Sequence, residues 1–173
     1  MAEKSNKYYS DKQEKLVANA LGGYQVGMSG AAPAVPGDVK TYDWLVECKT
    51  HTEPGKKIFF DLAVWNKIED EAMGMSRKPV LIVDDGSQKE DKTWCLCRQS
   101  NLNLVGTLTT DFPVAIRKNI SCSHDTLTDA LKKAAKGVVG PDGFYTRIAY
   151  EVEWNNETVV IMTLDTFKEL FEK

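Results

Sequence analysis

A chain of 173 residues, 42% hydrophobic and 27% charged, has the make-up of a single globular domain that can bury a core without disulfide or metal staples. It holds no apolar run long enough to span a bilayer, which excludes a membrane-spanning helix, and residues 1–7 lack the apolar stretch of a secretory signal. The net charge of −3 argues at first sight against a nucleic-acid partner. The segment 144–173, however, holds three of the 22 bases and six of the 25 acids, so the segment 1–143 is neutral, with 19 of each.

Along the chain, Ser10-Asp11-Lys12-Gln13 has the form of a capping box, and Leu16, Val17, Ala20 and Leu21 follow at helical spacing until Gly22-Gly23. Residues 28–37 are small residues and prolines, a loop. Residues 38–41 and 44–49 read as the arms of a hairpin turning at Tyr42-Asp43, and residues 52–57 as a polar loop. From Asp61, the residues Leu62, Trp65, Ile68, Ala72 and Met73 mark an amphipathic helix closed by Gly74, and Pro79 introduces the short buried strand Val80-Leu81-Ile82-Val83. A charged loop is expected over residues 84–92, a strand over 93–98 and irregular chain with one or two strands over 99–122. Leu127, Ala130, Leu131 and Ala134 mark a helix, and residues 140–143 a turn. The alternation of Phe144, Ile148, Tyr150, Val152 and Trp154 predicts a half-buried strand, which Asn155-Asn156 turns back into residues 158–163. Leu164, Phe167, Leu170 and Phe171 suit a final helix. The four tryptophans, 44, 65, 94 and 154, sit in apolar patterns and are expected in the core. The order of elements predicts an α/β fold with a mixed sheet flanked by helices.

The residues that carry chemistry are Asp38, Glu47 and Lys49. Alternate side chains of a strand share a face, so Glu47 and Lys49 point together and Cys48 points into the core. Folding the hairpin at Tyr42-Asp43 pairs Thr41 with Trp44, Lys40 with Leu45, Val39 with Val46 and Asp38 with Glu47. Two carboxylates are thereby set side by side with an ammonium two residues along. Such a pair repels unless a cation joins it. Hard oxygen ligands suit magnesium, which keeps its waters and takes up phosphate oxygens, and the set fits hydrolysis of a phosphodiester.

Asp38, Glu47-Cys48-Lys49 and the preceding Pro36-Gly37 resemble the PD-(D/E)XK nuclease superfamily, and within it the archaeal and phage type of Holliday-junction resolvase. The resemblance spans about residues 10–84. It includes an acid on the preceding helix (Glu14), a serine in a small-residue loop (Ser29-Gly30-Ala31), and the helix and strand that follow. It implies a restriction-endonuclease-like core over residues 10–84 with residues 85–173 as a C-terminal elaboration. The implied metal is magnesium, with manganese able to substitute. Asp38, Glu47 and Glu14 would ligate it, Lys49 would act on the nucleophile or the transition state, and Ser29 would contact the scissile phosphate region. Lys56, Lys57 and His51 are candidates for DNA contact. A four-way junction has two-fold symmetry, so a homodimer is expected, with the helix over residues 62–73 as a candidate dimer surface. The same motifs suit a nuclease on linear or other branched DNA, and a non-catalytic DNA-binding or scaffold protein could keep the same fold.

Cys95, Cys97, Cys122 and His124 are of the right types for a zinc site, although their spacing is tight. Without an export signal, four reduced thiols and the cytoplasm of a bacterial or phage-infected cell are expected. One bound divalent ion would offset the acidic charge at the point where a phosphate approaches, so the expected DNA affinity is modest, metal-assisted and salt-sensitive.

Overall fold

The computed structural model describes residues 5–27, 35–137 and 147–171; Ser29 and the turn expected over residues 140–143 lie outside them. Helix α1 runs Asn6–Ala20 and ends at the left-handed Gly22. It begins a turn earlier than the Ser10 capping box predicts, with Ser5 at its N-cap. Gln13 is therefore inside the helix, where it is buried and its amide donates to the Lys49 carbonyl at 2.8 Å. Strands β1 (Tyr24–Gln25), β2 (Val39–Lys40) and β3 (Trp44–Lys49) follow, and then β4 (Ile58–Phe60), a strand that the sequence pattern does not announce.

Helix α2 (Leu62–Gly74) is capped by Asp61, whose carboxylate accepts from the backbone N–H groups of Ala63 and Val64. Strand β5 (Lys78–Asp84) tolerates Pro79 because its ladder with β6 (Thr93–Arg98) begins only at Leu81. Then come β7 (Thr107–Asp111), β8 (Ile120–Cys122), α3 (His124–Gly137), β9 (Arg147–Trp154), β10 (Glu157–Thr163) and α4 (Leu164–Phe171). Asn155 and Asn156 both take positive φ, as a two-residue hairpin turn requires.

Eight strands form one mixed sheet in the order β1-β2-β3-β5-β6-β10-β9-β7, and β4 pairs with β8 in a second, two-stranded sheet. The fold is therefore α/β. β3 and β5 are parallel neighbours, connected through α2 as a crossover unit needs. The sheet divides the core in two. On one side Leu45, Leu81, Leu96 and Ile161 pack with Trp65, Ile68 and Ala72 of α2, with Leu127 of α3 and with β4 and β8. On the other, Val46, Cys48, Ile82, Cys95 and Val160 pack with Val17 and Ala18 of α1 and Leu164 and Phe167 of α4. The apolar stripe of α2 is thus spent within the fold and does not supply a dimer surface, although Met73 at its end is exposed. All four tryptophans are buried. Among the described residues no helix is long and apolar enough to cross a membrane.

Candidate functional site

β3 has burial on both faces and an exposed residue only at its end, so an acid at Glu47 is costly unless it is partnered. Its partner is Lys49, one step along the same face, whose Nζ lies 2.7 Å from Glu47 Oε1. A second ammonium, that of Lys67 on α2, stands 3.9 Å from Glu47 Oε2 and also reaches Glu71 at 3.5 Å. Sequence reasoning missed Lys67: it belongs to a different element, and only the packing of α2 over β3 brings it in. Burial pulls the Lys49 ammonium down, and the hydrogen bond and charge of Glu47 outweigh it, leaving the pKa above its ordinary value. In this arrangement Lys49 is therefore a charged donor at neutral pH, suited to holding an anion or an attacking water and not to taking a proton.

The hairpin register predicted from Tyr42-Asp43 holds for Val39 with Val46 and Lys40 with Leu45. Asp38 departs from it. Gly37, at φ +74°, bends the chain where a Cβ would fall 2.6 Å from Leu45 Cδ1, and the ladder stops at Val39. The Asp38 N–H then donates to Val46 O at 2.8 Å, and its Oδ2 accepts from the Cys48 N–H at 2.8 Å. The carboxylate thus takes the place that a paired strand residue would have held, beside Glu47 but outside the ladder. Burial, the charge of Glu47 and, more weakly, that of Glu14 push its pKa up to about 6, against the Cys48 N–H and Lys49.

Glu14 lies on α1, close enough for its charge to act on Asp38, and its Oε2 accepts from Gln25 Nε2 at 2.6 Å. The structure thus gathers Asp38, Glu47 and Lys49, with Glu14 within electrostatic reach. Among the described residues no three acid, histidine or cysteine side chains stand close enough together to hold a metal ion as a closed set. Asp38 and Glu47 offer two hard oxygen donors, and an acid whose pKa is raised to about 6 first by burial and then by the charge of Glu47 is one that a cation would relieve. That donor set fits magnesium, which takes one or two carboxylates and keeps waters for its other positions.

The elevated Asp38 carboxyl has a measurable consequence. Its folded pKa lies above the unfolded value, so the ionised form costs stability above about pH 6, and the cost is gone below about pH 4. Asp38→Asn keeps an acceptor for the Cys48 N–H and removes the charge. In EDTA it is expected to raise stability by about 2 kcal/mol at pH 7.5 and by nothing at pH 4. Urea unfolding at the two pH values checks this, and a variant less stable than wild type at pH 7.5 would contradict it.

Beyond Lys49, a cleft of about 260 Å³ opens at the carboxyl ends of β3 and β5. Leu81, Val83 and Val64 give it apolar walls, and Thr50, His51 and Asp84 also line it. Asp84 belongs to the segment expected as a charged loop, yet it and Asp85 are buried. Asp84 accepts from the Thr50 hydroxyl at 2.6 Å, the Gly86 N–H at 3.1 Å and the Gln88 N–H at 2.7 Å. Burial nevertheless leaves its pKa raised. The Gln88 amide donates in turn to Thr50 Oγ1, His51 O and Gly86 O, and the Lys56 N–H to Asp85 O, which ties residues 50–56 to residues 84–88.

Of the candidate DNA contacts, Lys56 is exposed and paired with Glu53 at 2.7 Å, a surface pair worth under about 1 kcal/mol and free to exchange for a phosphate. Lys57 is exposed, and its carbonyl lies 3.3 Å from His51 Nε2. The zinc reading is corrected. Cys95 and Cys97 face α1 and α4 while Cys122 faces α2 and α3, with the sheet between them, and His124 Nδ1 accepts from Trp94 Nε1 at 3.1 Å. Compared with known proteins, the chain matches no family model, no curated protein and no solved structure.

Proposed function

We propose that this chain is a magnesium-dependent DNA endonuclease of the PD-(D/E)XK kind, acting as a homodimer on four-way junctions. The observation that carries the reading is the Lys49 ammonium, 2.7 Å from the buried Glu47 carboxylate, with the Asp38 carboxyl beside them at the carboxyl end of a core strand. Open α/β sheets bind ligands at that end. Asp38 and Glu47 would hold the metal, which when bound supplies an activated water and a positive centre for the phosphate. Lys49 donates to the attacking water or a phosphate oxygen and offsets charge as it develops. Lys67 adds positive charge on the far side of Glu47, and the Gln13 amide fixes the backbone of Lys49 from behind the sheet. Glu14 acts on the site through its field at Asp38. The junction preference and the dimer rest on the resemblance and on the symmetry of the substrate.

The test is incubation with magnesium and either a synthetic four-way junction or the matching linear duplex, with scattering mass measured free and on DNA. Paired symmetric nicks on the junction alone, from a dimer, support the proposal. Cutting of both substrates makes it a nuclease of broader range. Cutting of neither overturns it.

A further inference from the structure

Apart from Lys49, the residues that line the cleft have no role in the metal and phosphate chemistry proposed above, and their make-up asks for a different ligand. Its volume of about 260 Å³ is below the ~300–1,000 Å³ of sites that take drug-sized molecules, and suits one flat ring system. Half-buried Val64 provides an apolar wall for a flat face, above Leu81 and Val83, which are themselves almost fully covered. Phe59 lines it too, and it is the one residue of β4 left exposed (39%) between the fully buried Ile58 and Phe60. An aromatic side chain exposed at the mouth of a cleft is a stacking surface. Asp61, whose Oδ1 caps α2, has its other oxygen as an acceptor for the N–H edge of a heterocycle. Lys49 belongs both to this cleft and to the Glu47 pair, so a ring held here would belong to a nucleotide immediately next to the reacting phosphate.

We infer that the cleft receives the unstacked base of a nucleotide adjoining the scissile phosphate, with Phe59 as its stacking partner. This rests on the nuclease reading above. Unstacking a base from a continuous duplex costs a few kcal/mol, less where pairing is already weakened or strained. The cleft would therefore favour cutting at a branch point, where stacking is interrupted, and would supply a selectivity that the metal centre by itself lacks.

The test places 2-aminopurine on each side of the mapped cleavage position and follows its fluorescence when the full chain binds with calcium replacing magnesium. A severalfold rise at one flanking position is expected. Phe59→Ala, a change at an exposed side chain, should weaken DNA binding roughly tenfold and reduce the rise. Val64→Trp, which fills the cleft, should abolish the rise. A fluorophore that stays quenched in a wild-type complex that cuts on adding magnesium overturns the base site and leaves the nuclease standing. A rise that is unchanged in both variants overturns it as well. A wild-type chain that neither binds nor cuts the DNA removes both readings together.

Discussion

Lys49→Ala is expected to lower DNA cleavage by at least about 10²–10³-fold, measured under conditions where circular dichroism shows the variant still folded. The side chain is half exposed, so its removal opens no cavity, but it strips the buried Glu47 of its 2.7 Å partner, leaves only Lys67 at 3.9 Å and lowers stability as well. Glu47→Gln should be at least as severe, because it keeps the shape and removes the charge that both lysines and a metal ion would use. Lys67→Ala is the control. Its ammonium is farther from Glu47, more exposed and shared with Glu71, so its loss should cost less than about tenfold. Single-turnover cleavage with saturating magnesium measures all three. Equal effects at positions 49 and 67 would show that general positive charge, and not the Glu47–Lys49 geometry, drives the reaction. Wild-type rates in both Glu47→Gln and Lys49→Ala would remove the site.

Gly86→Ala is expected to be the most damaging single-methyl change in the described fold, at about 3 kcal/mol or more. Gly86 has φ +91°, and a Cβ there would lie 1.9 Å from the Glu53 carbonyl oxygen and 2.7 Å from its carbon. Both are backbone atoms, so no rotamer change relieves the clash. The two loops that the Asp84, Gln88 and Lys56 hydrogen bonds tie together would have to part, carrying His51 and the cleft with them. Gly55→Ala separates the causes: its φ is +77°, but nothing lies within 4 Å of the added carbon. It should cost only the left-handed penalty of about 1–2 kcal/mol. Urea midpoints of the two variants give the comparison, and equal losses would show that Gly86 matters for its φ alone.

How much of this was legible beforehand depends on whether the signal is local. The hairpin register follows from a two-residue turn and strict alternation, so Val39 with Val46 and Glu47 with Lys49 could be placed from the letters. The α2 stripe and its Asp61 cap were legible for the same reason. The position of Asp38 was not, because a glycine bend trades a ladder pair for a side-chain bond to the Cys48 N–H, and alternation cannot register that exchange. Strand β4 is too short to show a period, and its one strand partner among the described residues is β8, which follows it at a long remove in the chain. Asp84 and Asp85 look like solvated loop because sequence counts charges and not donors; the N–H groups of Gly86, Ser87 and Gln88 that donate to them come from the turn these acids themselves build. The role of Gln13 escapes the local pattern because its partner, the Lys49 carbonyl, belongs to β3, a strand from another part of the chain.

All four thiols of the chain are buried, and burial holds each pKa up. Cys48 lies immediately behind Glu47 and Lys49, yet on the opposite side of the sheet from them. The native protein is therefore close to silent toward thiol-directed reagents while folded. A cysteine introduced at Tyr42, 95% exposed at the tip of the hairpin and at the opposite end of β3 from Glu47 and Lys49, would be the single reactive thiol on the surface. A dye attached there would give a fixed reference point, remote from the site, for distance measurements to labelled DNA without first rebuilding the core to remove the others.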